Sequence, residues 1–481
     1  MNVLFIGSSS VGPRWIMDAL KSKCHNAHGI FTGYEGISLG ENAVPFFPPV
    51  KDKYLKDKGV GIVGITVDSL NVENALLISK NIKSNNPGIK IIWGGIHPSI
   101  SPEECIGYPE IDYICMGEGE YPMLELCEAL DKIKINGGHN EDTVIKNIWS
   151  KKDGSIFKNE LRDYVDINTV EFDRSNIYYN GIFTGRGCAG NCTFCCSPYL
   201  KKTMESKGRY FRKRELKKVI NEIKNMIKSN NQYLLSQLMR KDSLAGKARL
   251  LLEIYKYNTS PVRIKDDSFC LDKEWLYEFN SSFSKHFKRR GYICSARVND
   301  ITEKVVKSLK EGNCRMIILG FESGDEHYRN KILNKYVSDA EIYKAAKMLR
   351  DAGIPILGQW MIGMPGETPA QAVKSLKMSL EVGDIPQVHI ATPFPKTKMM
   401  DYAIELGLIP PDYKLSVSSI YQDYTMVPAE SSSIFRLIYN AFKINSQPLA
   451  LKNKETIFDR FYNEVNNKKI GEILLKDIQI S

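Results

Sequence analysis

The first part of the chain alternates short apolar runs with polar, glycine-containing loops and amphipathic stretches. The runs VLFIG, GVGIVGITV, IKIIWGG and IDYICMG are each typical of a buried strand that ends in a loop. Helical stretches such as NVENALLISKNIKSN stand between them. Repeated strand–loop–helix units predict a parallel sheet with helices on both faces, which is a doubly wound, Rossmann-like α/β domain over residues 1–135.

A second series with the same alternation starts at IFTGRGC. Its later strands are PVRIKDDSF, YICSARVN, RMIILGFES, IPILGQWMIGMP and QVHIATPF, and amphipathic helices separate them. Six strands with intervening helices predict a partial (β/α)6 barrel over residues 177–400, with its chemistry at the carboxyl ends of the strands. Residues 136–176 are polar and predict a linker with a hairpin, residues 229–258 a helical insertion, and residues 401–481 a mostly helical region.

Composition limits the class of protein. The chain has 481 residues, of which 43% are hydrophobic and 25% charged, as in soluble globular proteins. It has no apolar run of about 18 residues, so no membrane span is predicted. The net charge is +10, but the densest basic cluster, KGRYFRKRELKK, opens a predicted helix and favours a solvated helix face over a nucleic-acid site. Eleven cysteines and no leader pattern predict a reducing, cytoplasmic setting.

Four of the cysteines stand close together in the loop after the first strand of the second series. Cys188, Cys192 and Cys195 have the spacing C-x3-C-x2-C, and Cys196 follows directly, so we expect it to pack elsewhere or face the cofactor pocket. A zinc site normally needs four Cys or His ligands, and no second pair is nearby. A disulfide is disfavoured in a reducing compartment. Three thiolates fit a [4Fe–4S] cluster with one iron open for a substrate.

The cysteine spacing, with Phe194 just before the last cysteine, resembles the radical S-adenosylmethionine (SAM) superfamily. The segments DDSFCLDKEWL, SARVNDIT, ILGFESGDEHYR and MIGMPGET resemble the barrel of that superfamily in the same order, over residues 178–395. The resemblance implies that three cysteines hold the cluster and that SAM chelates the open iron. One electron then cleaves SAM to a 5′-deoxyadenosyl radical, so an electron donor such as flavodoxin or ferredoxin is an expected partner.

The resemblance also assigns candidate SAM-binding residues by their position in the barrel. Arg297 is placed to pair with the SAM carboxylate, and Glu322 to accept a bond from the ribose or the amino group. Asp266 and Asp267 stand where many members have a Gly-Glu pair, and Lys396 stands where relatives often have glycine. The expected SAM contacts are Phe194, Asp267, Arg297, Glu322, Ser323, Met361 and Gly363.

In the first domain, GITV, GGIHPS and GEGEYP resemble the cobalamin-binding domain that is fused to many radical SAM proteins. The expected cofactor contacts are Ser8, Ser9, Thr66, Gly94, Gly95, His97, Gly117, Glu118, Gly119 and Glu120. The domain has no Asp-x-His-x-x-Gly motif, which in mutases supplies the histidine below the cobalt. The sequence therefore predicts cobalamin without a lower histidine ligand, and the alternative is a domain that has lost cobalamin.

These resemblances together imply a cobalamin-dependent radical SAM methyltransferase. The radical would take hydrogen from an unactivated carbon of a small-molecule or natural-product-type substrate, and methylcobalamin would donate the methyl group. An enzyme of the same architecture that cyclises or rearranges its substrate is the runner-up, and a non-catalytic sensor is a third possibility. A methylthiotransferase is disfavoured because the N-terminal cysteines form no cluster-binding triad. The insertion and the C-terminal helices are the natural places for substrate determinants or a lid.

Overall fold

The computed structural model contains two α/β units in the order that the sequence predicts. It describes residues 1–7, 11–31, 50–135, 144–152, 154–169, 181–240, 243–415 and 426–445. The predicted fold class, a doubly wound domain followed by a partial barrel, is confirmed. None of the described helices combines the length and the apolarity needed to cross a membrane.

The first unit is built on a seven-stranded sheet with the order β2-β1-β3-β4-β5-β6-β7. Its strands are β1 (Asn2–Gly7), β2 (Asn26–Phe31), β3 (Ile62–Thr66), β4 (Lys90–Gly94), β5 (Tyr113–Cys115), β6 (Ile148–Lys152) and β7 (Ser155–Lys158). Its helices are α1 (Val11–Lys21), α2 (Asp52–Asp57), α3 (Val72–Asn85), α4 (Ile96–Ile100), α5 (Pro102–Gly107) and α6 (Glu120–Ile135). Two apolar clusters, one on each face of this sheet, account for the near-continuous apolar runs of its parallel strands.

The segment predicted as a linker contributes strands β6 and β7 to this first sheet. Both are antiparallel additions, and β6 pairs with β5 through the register Tyr113↔Ser150. Ile148 and Trp149 are buried against the parallel strands, which ties this part of the segment to the first unit.

The second unit is a half-barrel of six parallel strands with the order β15-β14-β13-β12-β11-β8, beside a two-stranded ribbon of β9 and β10. Its strands are β8 (Gly181–Ile182), β9 (Gly185–Arg186), β10 (Arg212–Lys213), β11 (Val262–Ile264), β12 (Tyr292–Ala296), β13 (Cys314–Glu322), β14 (Ile356–Ile362) and β15 (Ile385–Ile390). Its helices are α7 (Ser197–Thr203), α8 (Leu216–Met239), α9 (Leu244–Thr259), α10 (Lys273–His286), α11 (Glu303–Glu311), α12 (Asp339–Asp351), α13 (Pro369–Val382), α14 (Lys398–Glu405) and α15 (Ser432–Asn445).

Helix α15 closes the outer layer of the half-barrel. It packs against β15 and α13, and its Phe435 and Phe442 are fully buried in the main core. The Phe442 ring lies 6.3 Å from the ring of Trp360 on β14. This described part of the predicted C-terminal helical region therefore belongs to the barrel core, whereas residues 416–425 and 446–481 lie outside the described residues.

The predicted insertion is the far part of a hairpin formed by α8 and α9. Asn230 on α8 donates to the hydroxyl of Tyr257 on α9, and the Tyr257 carbonyl accepts a 2.7 Å bond from Arg290. Arg290 stands just before β12 begins, so the hairpin lies at the amino-terminal end of the barrel strands. Because the cysteine loop is at the carboxyl end, the hairpin is not placed where a lid would be.

Candidate active site

The loop that carries the cysteines is anchored where it leaves β8. Asp266, at the end of β11, accepts 2.6 Å and 3.2 Å bonds from the backbone N–H groups of Thr184 and Gly185. Lys213 on β10 donates to the same carboxylate across 2.7 Å. Asp266 therefore holds the entry to the cysteine loop, which gives it a structural role beside the neighbouring Asp267.

The far side of the loop is held by the barrel. Thr193 donates its backbone N–H to the carbonyl of Leu333 across 3.2 Å and its hydroxyl to the carbonyl of Ile332 across 2.8 Å. The Thr193 carbonyl in turn accepts a 2.9 Å bond from the N–H of Met399. A loop fixed at both ends presents its side chains in one arrangement, as a preorganised metal centre requires.

The thiols of the loop face backbone N–H groups at hydrogen-bonding distance. Gly190 N–H lies 3.3 Å from Cys188 Sγ, and Ser197 N–H lies 3.4 Å from Cys195 Sγ. A Cβ atom on Gly190 would lie 3.4 Å from Cys188 Sγ and 3.7 Å from Cys192 Sγ, so both sulfurs flank this glycine. Backbone N–H bonds to thiolate sulfur stabilise iron–sulfur clusters, and this donor set fits a [4Fe–4S] cluster.

The four thiols of the loop differ in pKa. Hydrogen bonds from Cys196 and Ser197 outweigh burial and lower the pKa of Cys195 to about 6. Burial raises the pKa values of Cys188 and Cys192, and donation to Cys195 raises that of Cys196. Over the described ranges, no group of three or more His, Cys, Asp or Glu side chains is placed to hold a single metal ion.

Two of the candidate SAM contacts stand at neighbouring strand ends with distinct polar environments. Arg297 follows β12, and its buried Nε has no hydrogen-bond partner in the described structure. Glu322 ends β13 in a left-handed conformation with φ of 68° and pairs with Lys335 across 3.1 Å. An orphaned guanidinium N–H suits a ligand carboxylate, which is the group of SAM that the sequence assigned to Arg297.

Three further candidates have partners that define their roles. Asp267 accepts the N–H of Gly187, and burial together with Asp266 raises its pKa. The hydroxyl of Ser323 is fully buried and accepts a 3.2 Å bond from the N–H of Asp325, so it supports a turn. Gly363 has φ of 75° and donates its N–H to Glu367 across 2.8 Å.

Phe194 and Met361 lie in one apolar cluster, which joins the cysteine loop to the inner face of β14. The ammonium of Lys335 lies 5.9 Å from the centre of the Phe194 ring. The structure thus brings Phe194, Met361, Glu322 and Lys335 to the same end of the half-barrel.

The inner face of the last two strands carries polar residues that sequence reasoning missed. Trp360 and Ile362 pack outward under the helices, so Gln359, on the same strand, points into the lumen. The register pairs Gln359↔Gln387 and Met361↔His389 place Gln387 and His389 on that same inner face. The backbones of these residues pair between β14 and β15, so only their side chains face the lumen. The alternation of polar and apolar residues in QVHI, residues 387–390, could have indicated this polar face.

A cavity of about 400 Å³, partly open to solvent, lies at the carboxyl ends of β1, β3, β4 and β5. It is walled mostly by apolar side chains, among them Phe5, Ile65, Ile92 and Met123, and by glycines that let the backbone form the wall. The candidate cofactor residues that line it are Thr66, Gly94, Gly95, Gly117, Glu118, Gly119 and Glu120. Ser8 and Ser9 lie outside the described residues.

His97 is the candidate cofactor residue that the structure places away from this cavity. Its side chain is buried beneath α4, where Nδ1 lies 3.0 Å from the Ser69 hydroxyl and Nε2 lies 3.5 Å from Glu104. Its sequence neighbour Ile96 lines the cavity instead. Ile96 and His97 are consecutive residues of the short helix α4, so their side chains point in different directions and only Ile96 reaches the cavity.

The second unit closes the cavity from the other side. Phe183 and Arg186, both in the stretch that leads to Cys188, form part of the cavity wall. Arg186 lies 4.1 Å above the ring of Trp15, which also lines the cavity. A cofactor in this cavity would therefore contact the segment that carries the cysteines, since Arg186 precedes Cys188 by two residues.

The family comparisons agree with this geometry. Residues 182–378 match the radical SAM superfamily, and residues 49–127 match the B12-binding domain. The chain is therefore a radical SAM protein with an N-terminal B12-binding domain. The two matches place a B12-binding domain before a radical SAM domain, in the order of the two α/β units.

Individual relatives are distant. An uncharacterised methyltransferase of Pyrococcus horikoshii is 26% identical over 375 residues, which cover 74% of this chain and 72% of the relative. An anaerobic magnesium-protoporphyrin IX monomethyl ester cyclase of Rubrivivax gelatinosus is 23% identical over 73% of this chain and 59% of the relative. The radical SAM methyltransferase TsrM of Kitasatospora setae, solved with cobalamin and a [4Fe–4S] cluster, shares the fold. Its TM-score is 0.61 at 16% identity, over 84% of this chain and 78% of TsrM.

Proposed function

We propose that this protein is a cobalamin-dependent radical SAM methyltransferase that methylates an unactivated carbon of a small molecule. The observation that carries the proposal is the shared wall: Arg186 lines the B12-domain cavity and stands two residues before Cys188. When bound, the cluster and SAM supply the 5′-deoxyadenosyl radical, and cobalamin carries the methyl group. The part of the protein is to hold these groups close together in a site shielded from water.

Cys188, Cys192 and Cys195 are the proposed cluster ligands. The support is their spacing, the N–H groups that face two of their sulfurs, and the glycine between Cys188 and Cys192. Cys196 is not assigned as a ligand, because it directly follows Cys195 and lies outside the C-x3-C-x2-C spacing.

Arg297, Glu322 and Asp267 are the proposed polar contacts for SAM. The unpaired Nε of Arg297 suits the SAM carboxylate, and Glu322 and Asp267 suit the cationic amino group. Phe194, Met361 and Gly363 form the apolar side of this site, whereas Ser323 acts through the turn that follows Glu322.

Cobalamin is the proposed occupant of this cavity, which is open to solvent on one side, with no histidine below the cobalt. His97 is held by Ser69 and Glu104, which leaves the cavity wall next to Thr66 and Gly94 without an imidazole. Cobalamin held there would supply the methyl carrier, and Thr66 and Gly94 would line its face without offering a nitrogen ligand from a side chain.

The substrate is proposed to lie in the lumen against Gln359, Gln387 and His389. The two glutamines are polar and uncharged, and desolvation by the surrounding protein lowers the pKa of His389, which favours its neutral form. They suit a small substrate with hydrogen-bonding groups. Reduced flavodoxin or ferredoxin is the proposed electron donor, and the cytoplasm, where thiols stay reduced, is the proposed location.

A cyclase is the second candidate function. The Rubrivivax gelatinosus relative is a cyclase, and it matches 73% of this chain, about as much as the Pyrococcus horikoshii methyltransferase does. Methyl-labelled SAM separates the two functions. A methyltransferase places the label in the product, whereas a cyclase forms 5′-deoxyadenosine and leaves the product unlabelled.

Anaerobic purification with cobalamin, followed by iron and cobalt analysis, tests the proposal. We expect about four iron atoms and one cobalt per chain, with 5′-deoxyadenosine formed under reducing conditions. The Cys192→Ala variant should lose iron and SAM cleavage, and the control Cys24→Ala, at an exposed cysteine, should keep both. Zinc in the site, or intact iron in Cys192→Ala, would contradict the proposal.

A further inference from the structure

Arg186 joins the two units through a buried ion-pair network. Its Nη1 lies 2.9 Å from Glu118 Oε1, and its Nη2 bonds to Glu120 Oε1. Arg212, across the ribbon from Arg186, donates to Glu118 Oε2 across 3.1 Å. Two arginines that flank the cysteine loop thus hold two carboxylates of the cavity wall.

The network is shielded from water and balanced in charge. The side chains of Arg186, Glu118 and Glu120 are exposed by 21%, 13% and 2%. Burial alone would raise the pKa of Glu118, but Arg186 and Arg212 outweigh burial and hold it below the usual value. A buried pair of this kind loses much of its stabilisation when one partner is removed, because the other charge stays buried.

The ribbon that carries Arg186 has little freedom to move. A Cβ atom on Gly185 would lie 2.6 Å from the Arg212 carbonyl oxygen, and one on Gly187 would lie 2.5 Å from that of Tyr210. Gly187 also has φ of 84°. The backbones of the two ribbon strands therefore pack against each other directly, and a displacement of Arg186 moves Cys188 with it.

One acceptor of the network is unused. Glu120 Oε2 is buried, has no hydrogen-bond partner in the described structure and belongs to a residue that lines the cavity. A buried carboxylate oxygen without a donor is costly, so a ligand N–H at this position is favoured. The edge of a corrin carries carboxamide groups, which supply such donors.

We propose that Arg186 is a positioning residue that locks the cobalamin cavity to the cysteine loop, and that Glu120 Oε2 accepts a carboxamide N–H of the corrin. Arg186 thereby sets the separation of cobalt and cluster, and cobalamin binding strengthens the same lock through Glu120. This inference rests on the proposed function, since it requires cobalamin in the cavity and a cluster on the three cysteines.

The separation of the two metal centres can be measured without turnover. Cob(II)alamin and the reduced [4Fe–4S] cluster are both paramagnetic, so pulsed electron paramagnetic resonance reports the distribution of distances between them. We expect one narrow distribution in the wild-type holoenzyme and a broadened or shifted one in Arg186→Lys, which keeps the charge and loses the planar fork. The matched control is Arg162→Lys. Arg162 forms a 2.8 Å ion pair with Glu125, and this pair does not involve the cysteine loop.

Aquacobalamin affinity tests the role of Glu120. Glu120→Gln should bind aquacobalamin roughly tenfold more weakly than wild type, the effect of losing one charge-assisted hydrogen bond. Glu118→Gln keeps the Arg186–Glu120 contact and should broaden the distance distribution even if Arg186→Lys fails to fold. Wild-type distances in both Arg186→Lys and Glu118→Gln, or unchanged affinity in Glu120→Gln, would overturn the inference and leave the proposed function standing. Wild-type protein that takes up no cobalamin would overturn both.

Discussion

Lys335 donates to Glu322 across 3.1 Å at the carboxyl end of β13. The same ammonium bonds to the carbonyl of Gly320 across 2.9 Å and lies 5.9 Å from the ring of Phe194 in the cysteine loop. The ion pair thus links the end of a barrel strand to the loop that is proposed to carry the cluster. Both side chains are nearly buried, so the carboxylate is held in one orientation toward the lumen.

Replacement of Glu322 by glutamine should weaken SAM binding and leave the cluster in place. The amide keeps the shape of the side chain and loses the charge that suits the SAM amino group, so we expect a loss of affinity of about 10- to 100-fold. Equilibrium binding of SAM to the anaerobic protein measures this. Glu274→Gln, at an exposed carboxylate on α10, is the control, and equal SAM affinity in both variants would refute the assignment.

Alanine at Gly187 should reduce iron content without unfolding the protein. Its Cβ would meet the Tyr210 carbonyl oxygen at 2.5 Å, and φ of 84° disfavours any residue with a side chain. The backbone must shift just before Cys188, so we expect less than half of the wild-type iron after reconstitution. Gly88→Ala is the matched control because an added Cβ there meets nothing within 4 Å. Full iron content in Gly187→Ala would show that the loop tolerates the shift.

The lumen imidazole predicts a specific pH dependence. The surrounding protein desolvates the His389 imidazole, which is open to the lumen, and lowers its pKa, and Glu322 opposes this shift only partly. In the folded protein His389 therefore stays neutral at pH values somewhat below the ordinary imidazole pKa of about 6.5. Its protonation requires a lower pH in the folded protein than in the unfolded chain. Product formation that needs neutral His389 should stay level as the pH falls through 6.5 and decline only below the lowered pKa.

His389→Gln removes the titrating group and keeps a hydrogen-bonding side chain. This variant should lose the acid decline, raise the KM for substrate and cleave SAM at the wild-type rate when substrate is absent. The same acid decline in His389→Gln and in wild type would assign the titration to another group.

Truncation of Phe442 should destabilise the barrel. The side chain is fully buried on α15 against Trp360, and removal of a buried phenylalanine costs roughly 3–5 kcal/mol. Denaturant unfolding of Phe442→Ala should show this loss. Leu252→Ala, at a half-exposed position on α9, should change stability by less than about 0.5 kcal/mol. A small effect at Phe442 would mean that α15 is peripheral to the core.

Much of the fold followed from local pattern. Each apolar run that ends in glycine or a polar loop became a parallel strand, because a strand buried on both faces must be apolar throughout. The antiparallel strands β6 and β7 were harder to predict in detail, since a short polar hairpin gains its place only by pairing with β5. The α8–α9 hairpin was visible as extra helix, but its location depends on Tyr257 meeting Arg290.

The sequence by itself determined the order of the two α/β units and the loop with three spaced cysteines, because both are encoded in neighbouring residues. Only the tertiary structure decided that Arg186 meets Glu118 and Glu120, that His97 turns from the cavity, and that His389 faces the lumen. Such relationships depend on strand order, register and the packing of distant segments, and no local spacing specifies them.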